Sequence, residues 1–339
     1  MQAVARRAGV SHQTVSRVIN SQPNVSPATK QLVLQAISEL GYRRNTAARA
    51  LVTSRSGTIG VAMLGSALFG PASTLLSVET AARRAGYFVS MVSLRETDIE
   101  SVSASFEHFM DQAVEGIIVI APQINVLEAA QAVAVNVPLV VIASDLPKRL
   151  VVGLHRVSVD QYAGARIAVR HLAELGHRNI AHLAGPGDWF DARARVRGWR
   201  AELSKHQLPT TEVLRGDWSA ESGYHIGHTL LDQHLPDAVF AANDQMALGL
   251  IRALTEAGVT VPQDLSVVGF DDVEGAAYFN PPLTTIRQDF ETLGERCMDL
   301  LVRVLTANDP PTPRPITPQL IIRRSTTERP HRQSGVPLN

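Results

Sequence analysis

The apolar positions change their spacing along the chain. In the opening stretch they recur at helical intervals. Val15, Val18 and Ile19 lie at i, i+3 and i+4 within residues 11–20, which predicts a short helix with one apolar face. A shorter helical segment, Val4–Ala8, precedes it across Gly9, and Ser11 is a type of residue whose hydroxyl caps a helix by accepting from a free backbone N–H. A third helix is predicted from Ser26 or Pro27 to Gly41. Ser26 is its cap, Pro27 opens the first turn, Gly41 ends it, and Leu32, Val33, Ala36, Ile37 and Leu40 form its stripe. Residues 45–57 are polar, basic and Ala-rich, with Leu51 near the middle. They predict a tether able to form one or two helical turns, a length marginal in isolation.

From Thr58 short continuous apolar runs alternate with amphipathic stretches. Strands are expected at 58–64, 88–93, 116–120, 139–143, 179–184, 238–242 and 265–270. Helices are expected near 73–85, 98–112, 126–134, 161–175, 191–206, 219–233 and 244–257. Such alternation predicts an α/β class of two doubly wound parallel lobes behind an all-α helix-turn-helix head. The polar end from Pro330 to Asn339 is expected to be a disordered tail.

Charge sharpens this division. The 339 residues hold 32 Lys+Arg and 32 Asp+Glu, a formal net charge of zero. Residues 1–55 contain eight basic residues against Glu39 alone, so the head carries +7 and the remainder −7. A basic head on an acidic body is the pattern of a module that meets a polyanion. The content of 45% hydrophobic and 19% charged residues fits a sizeable core. Cys297 is the single cysteine, which excludes an intrachain disulfide framework and favours a reducing compartment. Apolar runs such as Val137–Ala143 fall far short of the about 20 residues that span a bilayer. The opening Met1–Arg6 lacks a long apolar signal core, so a cytoplasmic protein with no membrane partner is expected.

Two short helices about a tight Gly turn match a helix-turn-helix, whose second helix enters the major groove. Gln13 suits adenine and Arg17 guanine, while Thr14, Ser16 and Asn20 suit phosphates. The plain alternative is a three-helix bundle with a solvated basic face. In the body, ligands of doubly wound sheets sit beyond the carboxyl ends of strands. Two predicted strands end in Asn243-Asp244 and Asp271-Asp272, offering directional hydrogen bonds to neighbouring hydroxyls, as a sugar presents. Asp244 and Arg197 are read as a helix cap and a solvated side chain. One of Arg193, Arg195 and Arg197 is expected to reach the same cleft, and Trp218 to stack on an apolar sugar face. Catalytic signals are weak. There is no Gly-x-Ser-x-Gly elbow, phosphate loop, His-Glu-x-x-His or complete dinucleotide fingerprint. His225 and His228 read as surface, Cys297 as core, and neither cofactor nor metal is expected.

The motifs together resemble the lactose/galactose-repressor family of bacterial transcriptional regulators. Gly9-Val10-Ser11-x-x-Thr14-Val15-Ser16-Arg17-Val18-x-Asn20 matches that family's head, and Gly41-Tyr42 with Asn45, Ala48 and Leu51 its hinge. Asp160-Gln161-x-x-Gly164, Leu175-Gly176-His177, Arg195-x-x-Gly198-Trp199 and Ser266–Asp272 carry the match through the body. The resemblance implies a repressor released from operator DNA by a sugar, of galactoside type. It implies a head over 1–44 and a hinge over 45–57. The core of periplasmic-binding-protein type would span 58–327, with lobes at 58–159 plus 290–315 and 160–289 plus 316–327, and a tail at 328–339. By resemblance His12, Gln13 and Arg17 read bases and Leu51 wedges the operator centre. Arg195, Asn243 and Asp271 bind hydroxyls, with Trp218, Gln288, Phe290, Leu68 and Pro71 as walls. Ala143 stands where a sugar-binding Asp is expected, so Asp145 is taken as its substitute, and Ile120 replaces a polar residue. No leucine heptad follows Arg324, which implies a homodimer. The rival readings are a sugar-binding transport protein, a regulator whose ligand is a corepressor, and a sugar-modifying enzyme using Asp271 or Asp272 as base.

Overall fold

A computed structural model describes residues 1–19, 23, 25–42, 55–64, 68–94, 98–120, 123–133, 137–144, 146, 154–306 and 310–329. The predicted hinge sites Asn45, Ala48 and Leu51, together with Asn20, Asp145 and the tail from residue 330 onward, lie outside the described residues. The chain divides into two compact units, Met1–Ser56 and Gly57–Asn339.

The first unit packs three helices, α1 (Gln2–Ala8), α2 (His12–Ile19) and α3 (Pro27–Glu39). Gly9 closes α1 in the left-handed region at φ 65°, which its lack of a Cβ permits. Ser11 Oγ accepts from Thr14 N–H at 3.1 Å and Ser26 Oγ from Thr29 N–H at 3.1 Å, so both caps act as predicted. Val4, Ala5, Val15, Val18, Val33 and Ala36 form the core. Leu32 and Leu40, read as part of the α3 stripe, are instead exposed. A three-helix head is too small to bury every apolar residue of its longest helix.

The second unit holds two sheets. The first runs β2-β1-β3-β4-β5, from β1 (Thr58–Leu64), β2 (Phe88–Leu94), β3 (Ile117–Ile120), β4 (Leu139–Ile142) and β5 (His155–Val157), all parallel. Strand alternation sends Ile59, Val61 and Met63 to one face and Ala62 and Leu64 to the other. The first face is covered by α4 (Phe69–Arg84) and α11 (Phe290–Leu305), where Cys297 is buried as expected. The second is covered by α5 (Ile99–Asp111) and α6 (Ile124–Val133), through Phe106, Phe109 and Leu127.

The second sheet runs β11-β10-β9-β8-β6-β7. Its members are β6 (Ile180–Ala184), β7 (Leu214–Arg215), β8 (Ala238–Ala241), β9 (Ser266–Asp271), β10 (Thr284–Arg287) and β11 (Gln319–Ile321). Only β10–β11 is antiparallel among these pairs. Helices α7 (Gln161–Glu174) and α8 (Phe190–Lys205) cover one face. The other carries α9 (Ala220–Leu231) and α10 (Asp244–Glu256). These two helices touch closely because Gly223 and Gly249 stand at the contact. A Cβ on Gly223 would lie 2.1 Å from Met246 O, and one on Gly249 1.8 Å from Ala220 O.

The chain passes between the lobes at 158–160, at 288–289 and before Gln319, because β5 and α11 belong with the first sheet and α7, β10 and β11 with the second. Two crossings are tied by Asp160 N–H to Ile316 O and Ile316 N–H to Ser158 O, both 2.8 Å. This construction leaves a cleft beyond the carboxyl ends of both sheets.

Candidate functional site

A cavity lies between the lobes and is lined by residues of both. Eight of the expected residues line it: Leu68, Pro71, Arg195, Trp218, Asn243, Asp271, Gln288 and Phe290. They arrive by several elements. Asp271 ends β9, Asn243 caps α10, Arg195 lies in the second turn of α8, and Gln288 follows β10 on a crossing.

Arg195 is the organising group. It is 4% exposed, while Arg193 and Arg197 face outward, so the structure selects one of the three arginines the sequence offered. Its Nε donates to Gln161 Oε1 at 2.9 Å, Nη1 donates to Ala242 O, and Nη2 lies 3.8 Å from Asp271 Oδ1. The guanidinium sits 3.8 Å over the Phe270 ring and 5.5 Å from that of Trp218. Gln161 Nε2 donates to Gln288 Oε1 at 2.7 Å, and Gln288 Nε2 to Asp271 Oδ1 at 2.7 Å. Arg195, Gln161, Gln288 and Asp271 therefore close a ring of polar contacts that joins α8, two interlobe crossings and β9. Burial pushes the Asp271 carboxyl up to about 6, while Arg195 and the Gln288 hydrogen bond oppose the rise.

Asn243 Oδ1 accepts from Met246 N–H at 2.9 Å, and its Nδ2 donates to Trp218 O at 3.0 Å. Asn243, not Asp244, is thus the cap of α10. Asp244 is fully buried, with Oδ1 accepting from Thr285 Oγ1 at 2.6 Å and Oδ2 from Val273 N–H at 2.9 Å. The cap reading fails because Asp244 is the first residue of the helix and not the residue before it, and its side chain turns into the sheet. Burial, with Asp271 next in effect, raises its carboxyl to about 8. Asp272 pairs with Arg287 Nε and Arg323 Nη2 at 2.6 Å each and does not line the cavity. Both Asp271 (φ 110°) and Trp218 (φ 78°) adopt positive φ, an uncommon conformation that clusters at functional sites. The Trp218 indole lies against Gly185, where a Cβ would come within 2.2 Å of the ring.

Several lining residues were missed in the sequence. Gln161, Trp189, Asp191 and Ser144 all face the cavity. Asp191 Oδ1 accepts from Ser144 N–H at 3.1 Å and Ser144 Oγ at 2.5 Å, a contact from one lobe to the other. Trp189 stands edge-on to Trp218, centroids 5.8 Å apart. The cavity lining includes no His, Cys or Lys among the described residues, and so offers no nucleophile with an imidazole base. No group of metal-ligating residues occurs among the described residues, His225 and His228 included.

The head presents His12, Gln13 and Arg17 as exposed side chains on α2, with Thr14 and Ser16 half-buried. Ser11 is exposed and engaged as the α2 cap.

Comparison with known proteins adds to this geometry. Residues 1–45 match the model described as bacterial regulatory proteins, lacI family, and residues 169–326 match a periplasmic binding protein-like domain. The chain is 36% identical over 342 residues to the lactose operon repressor of Escherichia coli (strain K12), covering 98% of this chain and 92% of that protein. It is 34% identical to the HTH-type transcriptional repressor PurR of Haemophilus influenzae (strain ATCC 51907 / DSM 11121 / KW20 / Rd), covering 95% and 97%. The structure of the Lac repressor dimer bound to operator and the anti-inducer ONPF aligns with a TM-score of 0.85 at 34% identity, covering 96% and 98% of the two chains. A complex of the transcriptional regulator CelR with cellobiose aligns at 0.72 and 32% identity, covering 96% and 98%.

Proposed function

Because the chain belongs to the LacI family of bacterial regulatory proteins, we propose that it is a repressor released from operator DNA by a sugar bound between its lobes. It carries that family's helix-turn-helix domain, and its relatives are transcriptional repressors rather than enzymes. The observation that carries the effector reading is the buried Arg195–Gln161–Gln288–Asp271 ring, facing the interlobe cavity beside Trp218. A fixed guanidinium and a carboxylate read neighbouring hydroxyls directionally, and an indole face suits the C–H face of a pyranose.

The head residues Gln13 and Arg17 read base edges, with His12 beside them, while Ser11, Thr14, Ser16 and Asn20 position the phosphates. The hinge residues Asn45, Ala48 and Leu51 complete the operator contact in this reading, with Leu51 as the wedge. The effector contacts are Arg195, Asn243 and Asp271, walled by Leu68, Pro71, Trp218, Gln288 and Phe290, with Asp145 as an added acceptor. The active form is a homodimer with a near-palindromic site. Large apolar side chains stand exposed on α4 and β2, including Leu76 and Phe88, and near β10 at Tyr278, which is 87% exposed. Such surface calls for a covering partner, and the similar Lac repressor structure is a dimer. The sugar must prefer the conformation that binds DNA weakly, since equal affinity for both states shifts nothing.

A thermal-shift screen of mono- and disaccharides, repeated with operator DNA, tests the reading. A galactoside that raises Tm alone and less so with operator supports it. A screen in which no sugar moves Tm removes the effector assignment.

A further inference from the structure

The strand-end pair Asp271-Asp272 divides in two directions. Asp271 lines the cavity, whereas Asp272 turns away from it and gives both carboxylate oxygens to arginines. Oδ2 accepts from Arg287 Nε and Oδ1 from Arg323 Nη2, at 2.6 Å each. The Asp272 side chain is 6% exposed and that of Arg323 16%, so water screens this second contact little. Arg323 is itself fixed. Its Nη1 donates to Leu283 O at 2.7 Å and its backbone N–H to Thr284 Oγ1 at 2.9 Å. Arg287 ends β10, is the register partner of Asp271 across the β9–β10 pair, and directly precedes Gln288. The clamp thus ties the end of β9 to β10 and to the segment that follows β11.

The turn held in this way is an uncommon one. Asp271 at φ 110° and Asp272 at φ 56° are consecutive non-glycine residues with positive φ. Such backbone persists only where its surroundings over-determine it. Three anchors do so here. Gln288 Nε2 donates to Asp271, two arginines grip Asp272, and Val273 N–H donates to Asp244 Oδ2 at 2.9 Å. The arginine pair supplies two charge-assisted bonds between full charges, the strong kind. A binding group loosened by about 1 Å is a recognised way for a site to fail. A carboxylate displaced that far loses its charge-assisted bond to a sugar hydroxyl, roughly tenfold or more in affinity. Building on the sugar-effector reading, we propose that Asp272 is a positioning residue of the effector site. Gripped by Arg287 and Arg323, it holds the positive-φ turn that aims the Asp271 carboxylate into the cavity, and it contributes to sugar recognition without lining the pocket.

Calorimetric titration of the full-length protein with galactose, glucose, lactose and cellobiose tests this, with Tm recorded in parallel. Asp272→Asn should weaken the sugar that binds best by about tenfold or more, while operator affinity without sugar stays within about twofold. Adding Arg323→Gln should weaken binding no further than the stronger single change, because either one breaks the same clamp. Asp237→Asn is the control. It breaks another arginine pair, with Arg329, just before β8 at the amino end of the same sheet, away from the cavity. It should lower Tm and leave sugar affinity within about twofold. If Asp272→Asn does not fold, Arg287→Gln, at an exposed position, carries the test with a loss of severalfold. Unchanged sugar affinity in the folded clamp variants, or an equal loss in Asp237→Asn, overturns the positioning role alone. Absence of binding by all four sugars to the parent protein overturns the sugar-effector reading beneath it.

Discussion

Replacing Arg195 with Ala should damage effector response and stability in different ways, and pH separates the two. The substitution removes donors to Gln161 Oε1 and Ala242 O and the cation 3.8 Å from Asp271. A hydrogen bond to a charged group is worth about 1.5–3 kcal/mol, so losing one to the sugar weakens binding about 10- to 150-fold, and losing two about 150- to 20,000-fold. Stability suffers because Asp271 stays buried without its cation, a loss of about 3 kcal/mol, or on the order of 5–10 °C in Tm. Asp271 already titrates at about 6, and without Arg195 its pKa rises further. Near pH 5 the carboxyl is protonated in both proteins, so the destabilisation shrinks; near pH 8 the variant must bury a bare carboxylate or hold a proton against the solution, so it grows. Thermal denaturation at the two pH values, with sugar titrations and operator binding, makes the assay. Operator binding should survive while sugar no longer releases it. A variant that responds normally to sugar, or whose Tm deficit is the same at both pH values, would refute the assigned role.

The parent protein itself should lose stability as pH rises above about 6.5. Asp271 and Asp244 have folded pKa values near 6 and 8, above the unfolded carboxylate value, so each binds more protons in the native state, whereas buried His182, with a pKa near 3, binds fewer and opposes them below about pH 6.5. Denaturant midpoints should fall between about pH 6.5 and 8, and Asp271→Asn should make the slope between about pH 4 and 6 more positive than the parent's; a midpoint that rises between about pH 6.5 and 8 contradicts the Asp244 assignment, and an unchanged slope in the variant contradicts that of Asp271. Gly249→Ala should cost several kcal/mol, because its Cβ would sit 1.8 Å from Ala220 O, and chemical denaturation showing a loss below about 1 kcal/mol would count against that packing. Operator affinity should drop steeply with salt as Lys and Arg displace counterions, and a flat profile in a filter-binding assay would argue against phosphate contacts by the basic head. Arg17→Ala should relax base preference without changing sugar affinity, measured on a set of single-base operator variants.

How far the sequence led depended on whether the determining interactions were local. Ser11 and Ser26 announced helix starts because a cap acts over three residues, and both act in the structure. Asn243 and Asp271 were legible because doubly wound sheets place ligands at strand ends; Arg195 was one of three candidate arginines that only the family resemblance told apart, and all three residues line the cavity. Asp191 and Ser144 were not, since their contact joins residues 47 positions apart in opposite lobes and no periodicity encodes it. Trp189 was hidden for a related reason: it packs against apolar clusters of both lobes, a role that exists only once they meet. The short strands β5, β7, β10 and β11 also escaped, because two to four residues carry too little pattern to distinguish an edge strand from a loop. Asp244 misled because Asp is as good a cap as Asn, and only the observed cap hydrogen bond from Met246 to Asn243 chooses between neighbours.

The central claim is that a sugar between the lobes loosens the head's hold on DNA. Its most direct test is fluorescence anisotropy of a labelled duplex from the region upstream of the chain's own gene, bound by full-length protein and titrated with galactosides and their aryl derivatives. The account predicts that anisotropy falls to the free-DNA value with a saturable dependence on one such compound, and that Arg195→Ala abolishes the fall. A complex that forms yet ignores every saccharide, or tightens with the one that binds, would contradict it.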